Sequence, residues 1–518
     1  MHAGTGKPTG VARGSMGTKT LFLALDSVEP RAMERWMSEG RLPVLARLRE
    51  AGAACAVRNF RGFGNGVFWP SLATCSGPGH HGRYYISQLV PGTYRVRRFA
   101  MQSEFGGTPF WKHLEQAGQR VACVDMIRTP MAGLGRGLEV HNWLPHDGDG
   151  PLCTRPAKLA EDLTARFGPD PFDGSADVFF RQRRAGFAEL ARLAGTRIGW
   201  KTEWCEERLR SESWDFFAVG IQEAHDIGHL AWHVHDVGHR AHDAATLATE
   251  GDPVLAVYRH IDAAVGRLAE AAGPDATIIG VTGPGMEPNS SGNDVFREVV
   301  RRLATGQTGP TEGAPAQSRR PRLPLRQIYR SIAPSVLRGA LRSLDWRLAQ
   351  RAEARVLAGR PFFSVPHNHN AGAIRINLRG REPNGLVAPG EPFERTIAEL
   401  EAALLAVRDT AHDRPAVAEI VRVRDCTSGP HASALPDLLV IWNREADFSE
   451  VWSPAVGTVR SGWKPLRTGD HSDRGQLIVS SPRPFEHPSL PGELDPAGAG
   501  EIVRRLASAG HVVAGAAA

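Results

Sequence analysis

Cysteine is scarce: six residues in 518 (Cys55, Cys75, Cys123, Cys153, Cys205, Cys426), none in a Cys-x-x-Cys pair. That spacing excludes a disulfide scaffold and a cysteine-built zinc site, and it reads as reduced, buried thiols. No stretch approaches the roughly 18 consecutive apolar residues of a membrane-spanning helix. Residues 1–17 form a Gly-rich polar leader without the apolar core of a secretory signal, so a cytoplasmic location is expected. An excess of one charge sign is also missing, because 62 basic against 56 acidic side chains leave only +6. With 42% hydrophobic and 23% charged residues the chain is not a disordered protein. Its length suits one large α/β domain with a cap, able to bury its core without staples.

What charge there is lies unevenly. Arg301 to Arg360 holds thirteen arginines against Glu312, Asp345 and Glu353, a local +10 that leaves −4 for the rest of the chain. A specific nucleic-acid binder with a basic surface throughout is therefore not expected. The Gly-, Pro- and Ser-rich stretch Gly306 to Pro324 reads as a linker. Leu325 to Ala358 follows with apolar residues at helical spacing (Ile328, Ile332, Val336, Leu337, Leu341, Leu344), which predicts an amphipathic helical pair. Such an insert could cover an anionic substrate, touch acidic lipid or RNA, or be a solvated charged cap.

Elsewhere short apolar runs alternate with helical patterns. Strands are predicted over Thr20–Leu25, Arg120–Asp125, Phe216–Ile221, Thr277–Val281, Leu438–Ile441 and Leu477–Val479, and an amphipathic helix over Pro43–Ala51. Strands separated by helices argue for an α/β fold, a mostly parallel central sheet flanked by helices. The expected organisation is a flexible leader over 1–17, a core in two parts over 18–300 and 361–482, the Arg-rich linker and helical cap insert over 301–360, and a C-terminal segment over 483–518.

In such sheets chemistry gathers at the carboxyl ends of strands. Asp26 follows the first strand, a histidine-rich stretch with His225 and His229 follows the Phe216 strand, and Asp470-His471 lies late in the chain. A spacing of four puts His225 and His229 on one helix face, able to hold one ion, although histidines can equally decorate a surface. Pro70-Ser71 reads as a helix start. A hydroxyl there would see the positive end of the helix dipole, in a setting for a nucleophile or an anion, but an N-cap serine is the commoner use.

Together these pieces form a resemblance. The Asp after the first strand, Trp69-Pro70-Ser71-x-x-Thr74, the Pro78-Gly-x-His81-Gly82 turn, the histidine cluster and Gly469-Asp470-His471 resemble the alkaline phosphatase superfamily. The chain is most similar to its type I phosphodiesterase / nucleotide pyrophosphatase branch, with Tyr258-Arg-His-Ile-Asp262 and Gly372 to Pro383 in support. The resemblance runs from Thr18 to Val479 and implies an alkaline phosphatase-like fold. It implies two metal sites. One takes Asp26, the nucleophile (Ser71) and a later Asp-His pair, but that position reads Gly283-Pro284 and cannot ligate. The other takes His225, His229 and His471, with histidine in place of an aspartate. One complete site and one degenerate one are expected.

Three neutral imidazoles suit a divalent ion, zinc best, at about one per chain. Without the second ion Ser71 is a weak nucleophile. Either Asp26 serves as its general base, or a metal-activated water attacks while Ser71 orients the substrate. Asp226 and Glu223 are candidate carboxylates to fix an imidazole tautomer. The implied function is hydrolysis of phosphoric esters or anhydrides in a small anionic, phosphate-containing substrate. Two alternatives share the scaffold: a degenerate member that binds an anionic ligand or a partner, and a biosynthetic enzyme of altered chemistry. A sulfatase is excluded because His80 stands where that signature needs arginine. No motif specifies an oligomeric state.

Overall fold

In a computed structural model of the chain, the described residues are 18–98, 106–146, 150–172, 176, 186–290, 292–308, 351–368, 371–445, 448–461, 466–482 and 490–509. The leader and most of the Arg-rich insert, 309–350, lie outside them. Of the predicted helical pair only 351–358 is described, and it is helical.

The first strand, Thr18–Asp26, shows why the main sheet forms. Leu21, Leu23 and Leu25 enter one buried cluster while Phe22 and Ala24 enter another on the opposite face. A strand buried on both faces needs a continuous apolar run, since alternate side chains point to opposite sides. Phe217 and Val219 against Phe216 and Ala218 repeat the pattern in Trp214–Ile221. The nine strands run in the order Glu493–Leu494, Ala53–Arg58, Arg474–Ser480, Thr277–Gly283, Thr18–Asp26, Trp214–Ile221, Val121–Val124, Leu138–His141 and Cys153–Arg155. The five from Thr277–Gly283 to Leu138–His141 pair in parallel. Their carboxyl ends therefore open on one rim.

The helices Phe187–Ser211, Glu223–His235 and Pro253–Ala272 pack on one face. On the other lie Asn65–Thr74 and the C-terminal Pro496–Ala509, which buries a stripe of Ala499, Val503 and Ala507. These two helices approach closely: a Cβ on Gly500 would stand 2.0 Å from the Leu72 carbonyl oxygen.

One predicted strand belongs elsewhere. Leu438–Trp442 is not in the large sheet but in a separate antiparallel one with Phe362–Val365, Ala371–Ile376 and Val417–Arg422. A short apolar run marks a buried strand without saying which sheet will pair with it. Arg474–Ser480 is in the large sheet but runs antiparallel to its neighbours. Among the described residues no helix is long and apolar enough to cross a membrane, and the six cysteines form no disulfide with one another.

The Gly500 contact leaves no room for a side chain. Gly500→Val should separate the two helices and cost about 2 kcal/mol or more of stability, read as a lower midpoint in urea unfolding.

Candidate metal centre

Three histidines from two elements meet on the sheet rim. Trp214–Ile221 leads directly into the helix Glu223–His235, whose first turn carries His225, with His229 one turn on. His471 ends the short strand Gly469–His471, which pairs with Met286–Pro288 just beyond the Thr277–Gly283 strand. His225 Nε2 lies 3.1 Å from His229 Nε2 and 3.1 Å from His471 Nε2, and all three rings are buried.

Their outer nitrogens are held by the frame. His225 Nδ1 is 2.7 Å from Asp26 Oδ2, and His229 Nδ1 is 2.8 Å from the Gly469 carbonyl oxygen. Facing acceptors, both Nδ1 atoms carry the proton, so both Nε2 atoms present lone pairs to each other. A shared proton is a poor remedy, because burial lowers His229 well below the ordinary histidine range and His471 to about 3. A cation resolves the opposition. Nitrogens 2.0–2.1 Å from a tetrahedral ion stand roughly 3.3 Å apart, close to the observed spacing. The donor set therefore fits a divalent metal.

Around the ring lies a set of supports. Asp26 takes the Trp69 indole N–H on Oδ1 at 2.8 Å while Oδ2 holds His225. Burial raises its pKa, offset by the Trp69 hydrogen bond and by the neighbouring His471, Arg128 and His146 charges. Asn65 opens the helix Asn65–Thr74, with Gly64 as a cap that offers no side chain, and its Nδ2 is 2.8 Å from His471 Nε2. His146, beyond the Leu138–His141 strand, stacks on His225 with ring centroids 3.6 Å apart. Its Nδ1 is 2.5 Å from Asp226 Oδ1, and Asp226 Oδ2 accepts from the fully buried Arg197 at 3.3 Å.

The model of the type I phosphodiesterase / nucleotide pyrophosphatase family matches residues 20–472. The chain belongs to that family. Membership places it among hydrolytic enzymes that act on phosphate esters. No curated protein matches it. Among solved structures, phosphonoacetate hydrolase from Sinorhizobium meliloti 1021 is 14% identical, with 95% of this chain and 96% of that one covered and a TM-score of 0.53. Murine ectonucleotide pyrophosphatase / phosphodiesterase 5 is 11% identical over 95% of each chain, with a TM-score of 0.48. At these identities the first likeness concerns the fold, which is the alkaline phosphatase-like one.

Set against the residues that the family resemblance implies, the geometry corrects several expectations. The helix does not start at Pro70-Ser71 but at Asn65, five residues before Pro70, which sits inside it. Asn65 and Trp69, one turn apart, face the histidines. Ser71 lies two residues past Trp69, about 200° round the helix and so on another face. It is fully buried, with Oγ 2.8 Å from His81 Nε2. His81 Nδ1 accepts the Arg83 backbone N–H at 3.1 Å, so the ring proton is on Nε2 and points at Ser71. His81 is thus a donor to this hydroxyl and not a base for it, and Ser71, inside the helix, does not face the positive end of its dipole.

Asp26 is the outer partner of His225, with both oxygens committed. Asp226 fixes the ring of His146, which the sequence did not single out, and not one of the three converging histidines. Glu223 Oε1 stands 3.6 Å from Arg197 Nε. Where the resemblance implies a second site, Gly283 and Pro284 offer no side-chain ligand. Glu29 fills the neighbourhood, accepting the Met286 N–H, the Ser472 hydroxyl and Arg474 Nε, while Arg474 also reaches Glu287. A guanidinium supplies positive charge there.

Two consequences are measurable. Ser71→Ala should cost about 1 kcal/mol of stability for the lost hydrogen bond and leave turnover within a few-fold of wild type. Burial lowers His81 to about 3. The unfolded chain takes that proton below about 6.5 and the folded one does not, so stability falls as pH drops from 6.5 towards 3. In His81→Gln the slope of unfolding free energy against pH near 5 should be smaller by about one proton.

Proposed function

We propose that this family member hydrolyses phosphoric esters or anhydrides of a small anionic substrate with a single divalent ion, zinc by preference, held by His225, His229 and His471. The observation that carries this reading is the approach of His229 and His471 Nε2 to His225 Nε2 at 3.1 Å, with the outer nitrogens of His225 and His229 tied to Asp26 and Gly469. When bound, such an ion supplies Lewis-acid polarisation of a phosphoryl oxygen and a water whose pKa is lowered towards about 7.

The chain's own groups do the rest. Asp26 orients the His225 ring and, as a carboxylate, strengthens its donor nitrogen. With the His471 lone pair engaged, the Asn65 amide N–H is released to donate to a phosphoryl oxygen, beside the unpaired N–H groups of the first helical turn. Arg128 is close enough to act on Asp26 and His471, and Arg467 on His229, so positive charge surrounds the place an anion would occupy. The three rings are buried, so they are shielded from bulk water.

A second reading rests on Asn65. An amide cannot serve as the nucleophile at this helix tip, which favours a member that retains the anion pocket without turnover. The two are separated by one experiment. Hydrolysis predicts about one ion per chain and bis-p-nitrophenyl phosphate turnover that vanishes in His229→Ala. Metal binding without turnover of any phosphate ester would leave only the anion-binding reading, and an unaffected His229→Ala would sink the assignment of the site. Asp26→Asn should keep the fold and weaken metal affinity about 10–100-fold, measured by competition with a chromophoric chelator.

A further inference from the structure

Asp470 is the buried charge that the site as described does not use. It is 2% exposed, on the strand Gly469–His471. Its Oδ1 accepts the His471 backbone N–H at 2.7 Å, which fixes the carboxylate plane. Its Oδ2 is fully buried and has no hydrogen-bond partner, and among the described residues no ion pair reaches it. Buried carboxylates are paired or coordinate a metal, because taking the charge out of water unaided is costly. A ligand oxygen of Asp470 and ring nitrogens of His229 and His471 lie within 4.8 Å of one another.

The local fold holds this group in place. Gly469 packs so tightly on the histidine helix that a Cβ there would stand 2.2 Å from the Gly228 carbonyl oxygen. The same residue's carbonyl orients His229. Asp470 thus sits between two histidine supports on rigid backbone. The charge balance points the same way. Where the resemblance implies an aspartate in this ligand set, the chain has His225, so three neutral rings would leave a divalent ion with its full +2.

We infer that Asp470 is a further protein ligand to the ion, binding through Oδ2 alongside His229 and His471 and restoring the negative charge that His225 does not carry, so that a water or substrate oxygen would enter as a fifth ligand. The inference rests on the metal site proposed above. It makes the donor set mixed nitrogen and oxygen, a set that accepts manganese or iron as well as zinc.

The test uses the full chain, stripped with chelator and titrated with zinc and with cobalt(II). Asp470→Asn keeps the oxygen that accepts the His471 N–H and removes the charge. It should weaken zinc binding at least tenfold and shift the visible bands of the cobalt(II) form. It should also reduce the rise in melting temperature that zinc produces in wild type. Unchanged zinc affinity with an unchanged cobalt spectrum would overturn the proposal. So would a lower melting temperature in the metal-free variant with an undiminished zinc effect, which is the mark of a purely structural aspartate. If wild type itself binds neither ion, the underlying metal site fails and this inference with it.

Discussion

Imidazole lone pairs turned towards one another are the constraint on which this molecule's rim is built. Left alone, His225 Nε2 and His229 Nε2 at 3.1 Å repel. Their orientation persists because acceptors behind them, a carboxylate and a backbone carbonyl, claim the opposite ring nitrogens. Each acceptor comes from a different element: Asp26 from the end of the central strand, Gly469 from the short strand that also carries His471. The parallel sheet brings these ends to one rim, and the close backbone contact of Gly469 with the histidine helix sets the final spacing. A cation between them would offset the cost of holding like dipoles together.

The outer network extends this logic inward. Arg197 is buried with three carboxylates around it, Asp170, Glu223 and Asp226. Burial penalises its charge, and the carboxylates more than restore it, so its pKa is raised. Through Asp226 it holds His146 flat against His225. Two rings stacked at 3.6 Å cannot both aim in-plane lone pairs at one ion 2.0–2.1 Å away. His146 therefore packs as a wall against His225, its ring fixed by Asp226, which Arg197 holds in turn.

Much of this was legible in the sequence, and the failures have specific causes. Strands buried on both faces announce themselves as apolar runs, so the central strands and the residues at their ends could be read directly, including Asp26. The four-residue spacing of His225 and His229, joined by the resemblance to distant His471, marked the three rings that converge. The helix bearing Ser71 misled because every residue from Asn65 to Ala73 is buried. A helix buried all round shows no amphipathic stripe, and Pro70, normally a first-turn residue, suggested a start where the helix was already five residues long. His146 carried no signal at all: a single histidine in a loop becomes part of a site only when the sheet brings its strand end beside another. Leu438–Trp442 read correctly as a strand, but pairing is decided by tertiary contacts that a run of five residues does not encode.

The departures from the family pattern belong together. Trp69 donates its indole N–H to one Asp26 oxygen, and Gly283-Pro284 offers no side-chain ligand where the family resemblance implies an Asp-His pair. Arg474 meanwhile brings a fixed positive charge between Glu29 and Glu287. A hydroxyl without a metal or base to ionise it is a poor nucleophile at neutral pH. An amide needs no ionisation to donate a hydrogen bond. Asn65 holds the tip beside His471, while Ser71 is turned away and accepts from His81, and Ser27 is the hydroxyl that lies against Asp26 and His471.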